Sequence, residues 1–223
     1  MTASDSPPSA AIVALADRVE GAASDSPRFL LGIAGSPGSG KTTLATAIVA
    51  ELNARHPGTA SAVPMDGFHL ANATLDRLGR RDRKGAIDTF DGWGFLALLD
   101  RIRTETEHTV FAPGFRREVD EGVAGEIAVE PATRIVVVEG NYLLVDDGPW
   151  ARVRGALDEV WFCAAPSAVR ETRLVHRHTR HGRSLAVAMD WARGVDGANA
   201  ALIEATRERA ALVVSGETGA VVD

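Results

Sequence analysis

Apolar positions along the chain follow two alternating periods. Ile12, Leu15, Ala16 and Val19 stand three and four residues apart, which predicts an amphipathic helix over residues 11–22 that ends near Gly21. After a turn at 24–27, residues 29–34 are nearly all apolar, the pattern of a strand covered on both faces in a parallel sheet. The glycine-rich segment 35–40 leads into residues 41–55, where strong helix formers place Leu44, Ile48 and Leu52 on one face. A second strand is predicted over 60–65, then Asp66-Gly67-Phe68-His69 and a short helix over 71–78. The charged stretch 80–84 and the glycine- and aromatic-rich stretch 90–94 read as a surface insertion before a helix at 95–103. Segments 109–115 and 125–129 predict a small β excursion. Residues 135–138 are the clearest buried strand, ending in Glu139-Gly140-Asn141. A strand over 159–164, a long helix from Pro166 and Ser167 to about Arg180, a break at His181-Gly182, a helical region over 184–209 and a last strand over 212–214 complete the pattern. Strands alternating with helices predict a parallel α/β sheet with right-handed crossovers.

Composition narrows the class. The 223 residues are 45% hydrophobic and 24% charged, which suits a single domain over residues 11–223 after a flexible start at 1–10. With 30 acidic and 24 basic residues the formal charge is −6, and a nucleic-acid partner is not expected. The single cysteine, Cys163, excludes an internal disulfide and reads as a core residue beside Trp161 and Phe162. Residues 1–10 lack the basic start and apolar run of a secretion signal, and no apolar run reaches the roughly 20 residues of a membrane span. The expected setting is cytoplasmic, with no membrane partner; a homodimer is allowed but not required.

Chemistry enters at Gly35-Ser36-Pro37-Gly38-Ser39-Gly40-Lys41-Thr42, which satisfies G-x-x-x-x-G-K-[ST] between a buried strand and a helix. Backbone N–H groups of such a loop converge on phosphate oxygens, and the following helix, through Thr43, presents its positive end to the same charge. Lys41 is expected to reach the β- and γ-phosphates of ATP and the Thr42 hydroxyl to ligate Mg²⁺. Glu139, closing an apolar strand, is the expected acidic partner of that metal, acting through a water. Asp66 ends the second strand, where ligands of an open parallel sheet collect, and is expected to orient an acceptor hydroxyl and take its proton. His69 either touches the acceptor or fills the loop. Arg116 and Arg117 either add positive charge to the site or, slightly favoured, form a salt-bridged surface with Glu118 and Asp120. Arg170, Arg173, Arg177 and Arg180 fall on one helix face, a basic stripe suited to nucleotide phosphates. His176, His178 and His181 lack a completing ligand, and zinc is discounted. Trp191 and Asn199 either close over an acceptor or simply pack.

Taken with Pro64-Met65-Asp66-Gly67-Phe68-His69, Lys84-Gly85-Ala86-Ile87-Asp88-Thr89-Phe90-Asp91 and Val138-Glu139-Gly140-Asn141-Tyr142-Leu143-Leu144, the chain from Leu31 to Val214 resembles the phosphoribulokinase and uridine kinase branch of P-loop kinases. The resemblance implies a three-layer P-loop NTPase sandwich with a doubly wound, mainly parallel sheet and a helical lid at about 166–185. It implies Mg-ATP as donor, Asp66 against the acceptor hydroxyl, and Arg173 and Arg177 in the lid; His69, Arg117, Asn141 and Tyr142 are taken as the other acceptor residues. The similarity is greatest to a subgroup described as fructose, nucleoside or pantothenate kinase-like. Where that subgroup carries an aromatic-Asp-Arg triplet, this chain has Phe115-Arg116-Arg117, which implies a more positive pocket and leaves room for an acidic acceptor. The expected activity is an ATP-dependent kinase acting on a hydroxyl of a polar metabolite. The alternative is a nucleotide-hydrolysing switch serving a protein partner.

Overall fold

The structure is a computed structural model and describes residues 9–222. The expected flexible start therefore lies outside the described residues up to position 8. From Ser9 onward the chain is ordered into α1 (Ala10–Ala22), where the Ser9 hydroxyl accepts the Ile12 N–H at 3.3 Å as an N-cap. The strands follow as β1 (Phe29–Ala34), β2 (Ala60–Pro64), β3 (Val110–Arg116), β4 (Glu121–Val129), β5 (Ile135–Gly140), β6 (Glu159–Ala164) and β7 (Leu212–Ser215). Interleaved with them are α2 (Lys41–Arg55), α3 (Asn72–Leu78), α4 (Gly92–Thr104), α5 (Gly148–Gly155), α6 (Ser167–Arg180), α7 (Leu185–Arg193) and α8 (Val195–Glu204).

Five strands pair in the order β2-β5-β1-β6-β7, and every pairing is parallel. β1 and β5 are buried at every position, which is why their sequences carry no polar alternation. Leu30, Val63, Val136, Val138 and Phe162 point into a core shared with Phe95, Leu99, Trp150 and Val153 of α4 and α5. Leu31, Ile33, Val137, Trp161 and Cys163 point the other way, against Leu15 and Val19 of α1 and Leu44, Ile48 and Leu52 of α2. The result is a doubly wound α/β sandwich of three layers. β3 and β4 form a separate antiparallel hairpin that packs on the turn after β2.

Several elements differ from expectation for identifiable reasons. α4 begins three residues early because the Asp91 carboxylate accepts the Gly94 N–H at 2.8 Å and caps it. α5 was not legible, since only Trp150 and Val153 face the core from its eight residues. The late helical region breaks at Gly194 into α7 and α8, with a 3₁₀ turn at Arg207–Arg209. The 80–94 stretch is not merely a surface insertion, because Lys84 and Phe90 are each only 8% exposed. Arg28, also buried, donates to five carbonyls, those of Ile102, Glu105, Glu130, Pro131 and Thr133, at 2.6–3.1 Å. It thereby ties the end of α4 and the segment before β5 to the start of β1. Among the described residues no helix is long and apolar enough to cross a membrane.

Candidate active site

The strand order reverses around β1, so the crevice at its carboxyl end lies where neighbouring connections part to opposite faces. The glycine-rich loop leaves β1 at this point. Gly40 takes φ +108° and a Cβ there would stand 2.6 Å from the Gly216 carbonyl, so this corner admits only glycine. Pro37, Gly38, Gly40, Lys41, Thr42 and Thr43 border a cavity of about 840 Å³. Gly35, Ser36 and Ser39 stand behind them as support: Ser36 and Ser39 are fully buried, and the Ser36 hydroxyl donates to Glu204 at 2.5 Å. Lys41 Nζ donates to the Ser36 carbonyl at 3.1 Å and has no carboxylate within 4 Å among the described residues. Burial pushes its ammonium below the ordinary range, against the pull of Glu139 and Asp66. A buried cation with unfilled donors at the mouth of such a loop fits a polyphosphate.

Two carboxylates face the loop from neighbouring strands. Glu139, on β5, accepts the Thr42 hydroxyl at 2.9 Å; burial and the nearby Asp66 charge push it upward. Among the described residues there is no cluster of three or more His, Cys, Asp or Glu side chains that could by itself hold a metal ion. A hydroxyl and a carboxylate beside a polyphosphate site are nonetheless the oxygen donors that Mg²⁺ takes, with phosphate and water completing its shell. Asp66 lies in a 3₁₀ turn (Met65–Phe68) directly after β2, which pairs with β5. Burial pushes its carboxylate up, but His69, Arg117, Lys41 and Arg177 more than offset this and hold it below the usual range. Gly67 follows because the hairpin closes over this turn: a Cβ there would collide with the Pro113 carbonyl.

A further wall of the cavity is built from that hairpin and the 69–91 segment. His69 lies between Phe90 and Phe115, with ring centroids 4.0 and 4.7 Å away. Its Nδ1 meets the Asp66 carbonyl at 2.7 Å, and a carbonyl only accepts, so Nδ1 carries the hydrogen and Nε2 is the acceptor. Burial pushes the ring below its ordinary range, against the pull of the Asp66 charge. Lys84 Nζ donates to Asn72 at 2.6 Å and to both the carbonyl and the carboxylate of Asp120. Asp66, His69, Arg117 and Asn141 all border the cavity.

Tyr142 does not. It is fully buried against Phe90 and Trp150, and its hydroxyl donates to the Gly85 carbonyl at 2.7 Å, so it shapes the cavity wall instead of meeting a substrate. The paired arginines also separate. Arg116 turns outward to Glu126 at 2.5 Å, whereas Arg117 faces Asp66, and neither pairs with Glu118 or Asp120. The inference of a more positive pocket from Arg116 therefore fails at that residue. The basic stripe of α6 divides in the same way: Arg173 donates to the Gly38 and Ser39 carbonyls at 3.2 and 3.1 Å, and Arg177 borders the cavity. Arg170 is engaged with the Ala165 carbonyl and Glu204, and Arg180 is exposed. His178, discounted for want of a carboxylate, bonds Asp196 at 2.8 Å. Trp191 and Asn199 border the cavity, and Asn199 also donates to the Gly85 carbonyl at 3.1 Å. Lys84, Asp120 and Arg183 were missed as site residues; only the motif that begins at Lys84 carried a signal for any of them.

The model of the phosphoribulokinase/uridine kinase family matches residues 30–219. A candidate uridine kinase of Schizosaccharomyces pombe is 35% identical over 160 residues, covering 70% of this chain and 68% of that protein. An ATP-dependent kinase-like protein, notR', of Aspergillus versicolor is 38% identical over 125 residues, 53% of this chain and 73% of its own. The crystal structure of a candidate fructose transport system kinase from Silicibacter sp. TM1040 superposes with a TM-score of 0.80 at 39% identity, covering 88% of this chain and 95% of that one.

Proposed function

Since this chain belongs to the phosphoribulokinase/uridine kinase family and is an ATP-dependent phosphotransferase, we propose that it moves the γ-phosphoryl group of ATP onto a hydroxyl of a polar small molecule, with Asp66 as the base. The observation that carries this reading is the convergence of Lys41, Thr42, Asp66, Glu139 and Arg177 on one cavity, with Asp66 ionised opposite the phosphate loop's own lysine. In the transfer a bond forms between the acceptor oxygen and phosphorus, the bond to the bridging oxygen of the leaving diphosphate breaks, and the acceptor proton passes to Asp66 Oδ.

The residues divide this work between them. Lys41 and the loop N–H groups hold the phosphate charge in place, and Arg177, with no carboxylate within 4 Å among the described residues, supplies positive charge from the lid side. Thr42 and Glu139 would hold Mg²⁺, which when bound draws negative charge off the transferring group. Asp66 fixes the acceptor hydroxyl in line, and His69, through Nε2, is placed to hydrogen-bond a second polar group of the acceptor. Arg117 joins His69, Lys41 and Arg177 in holding the Asp66 carboxylate below its usual range. Asp66→Asn tests the assignment: acceptor-dependent turnover should fall by roughly 10²–10⁴ while ATP affinity measured by calorimetry barely changes. Retained turnover would remove Asp66 as the base. Unchanged ATP hydrolysis in wild type and variant alike, indifferent to any hydroxylated compound, would favour a nucleotide switch.

A further inference from the structure

Charge inside the cavity runs opposite to charge on the molecule. Seven basic side chains and four carboxylates border it, a surplus of three positive charges in a chain whose net charge is −6. A magnesium-bound nucleoside triphosphate brings about two negative charges, so the donor leaves positive charge uncompensated. On the acceptor side most cations already have partners. Lys84 is held by Asn72 and Asp120, Arg81 pairs with Asp120 at 3.0 Å, and Arg117 faces Asp66 at 3.6 Å.

Arg183 is the exception. It follows Gly182 in the connection from α6 to α7, borders the cavity, and has no carboxylate within 4 Å among the described residues. Its guanidinium is placed by stacking, with its central carbon 3.9 Å from the Trp191 ring centroid. His178 Nδ1 stands 3.5 Å from its Nη1, and the other nitrogen of that ring is bonded to Asp196. Burial pushes its guanidinium below the ordinary range, against the pull of Asp120 and Asp196. A guanidinium stacked on an indole keeps free those in-plane N–H donors that His178 does not engage, and their fork matches the two oxygens of a carboxylate or phosphate.

We propose that Arg183 binds an oxyanion on the acceptor, so that the substrate is a hydroxylated carboxylate or phosphate ester and not a neutral alcohol. This rests on the kinase reading above. It replaces Arg116, which the sequence pointed to, with a residue that does face the cavity. The anion is held from the lid connection, where Arg183 and Trp191 border the same cavity as Asp66.

The test uses matched pairs: glycerate against glycerol, gluconate against sorbitol, and ribose 5-phosphate against ribose. For the full chain, acceptor-dependent ATP consumption is measured with product mass, beside calorimetric binding to the chain loaded with a non-hydrolysable ATP analogue. The expected result is that an anionic member exceeds its neutral counterpart at least tenfold in kcat/KM. Arg183→Gln should then raise its KM about tenfold to hundredfold, well beyond any change in ATP affinity. Arg183→Lys, which keeps the charge but not the fork, should recover part of that loss. The carboxylate and phosphate arms tell which oxyanion is read. Neutral members that bind and react as well as anionic ones, or an anion preference that survives Arg183→Gln, would overturn the proposal and leave the kinase reading intact. ATP consumption and binding unaffected by every compound would overturn both.

Discussion

The Arg117 guanidinium stands 3.6 Å from the Asp66 carboxylate, reaching it from the hairpin across the turn that follows β2. This contact joins two otherwise separate parts of the molecule, the parallel sheet and the β3–β4 excursion, at the proposed base. With His69, Lys41 and Arg177, it also counters the burial that pushes the Asp66 carboxylate upward.

Removing that charge should move the pH dependence of turnover in a defined direction. With Arg117→Leu, burial regains part of its weight and the Asp66 carboxylate rises toward the ordinary range. A base works only when unprotonated, so the acid limb of the kcat/KM profile should shift to higher pH. Profiles of wild type and variant at saturating ATP would show it; coincident acid limbs would mean that Arg117 does not tune Asp66.

Lys41→Ala removes a buried cation from the mouth of the phosphate loop, where it donates to the Ser36 carbonyl and has donors to spare. Turnover should fall by roughly 10²–10³, the cost of losing one preorganised charge-stabilising donor. Single-turnover assays of purified variant and wild type measure this directly, and near wild-type rates would withdraw the lysine from the reaction.

Arg177 should matter more to the transition state than to the ground state. Burial and the neighbouring Arg117 hold its guanidinium below the ordinary arginine range, a strain that gathering negative charge relieves. Arg177→Ala is expected to lower kcat by about tenfold to a hundredfold and ATP affinity by less. A loss confined to ATP affinity would make Arg177 a nucleotide-binding residue only.

Arg28 makes no contact with the cavity, and its loss should be felt in folding alone. Arg28→Met strands five carbonyls that it now satisfies in a buried setting. The expected cost is about 3–5 kcal/mol, read from urea unfolding followed by circular dichroism. A loss below about 1 kcal/mol would mean that water replaces the guanidinium at those carbonyls.

The parallel sheet and the phosphate loop were legible in the chain because their signals are local. β1, β6, α2 and α6 fall at the predicted positions: an apolar run covered on both faces needs no partner to be recognised, and neither does a glycine corner ending in Lys-Thr. Asp66 and Glu139 were legible too, since each sits where a strand of that sheet must end. The acceptor wall was not. Arg116 and Arg117 are adjacent and chemically alike, yet one faces Glu126 and the other Asp66. Arg116 closes β3 while Arg117 opens the turn that follows it, and only the docking of the hairpin on the Met65–Phe68 turn decides which of the two faces the cavity. Tyr142 was misjudged for the same kind of reason, because its neighbour Asn141 opens to the cavity while its own ring closes into the core. Arg183 had no periodic signal at all. Its position depends on Trp191, eight residues further on, and a stacking partner in another element exists only once the chain has folded.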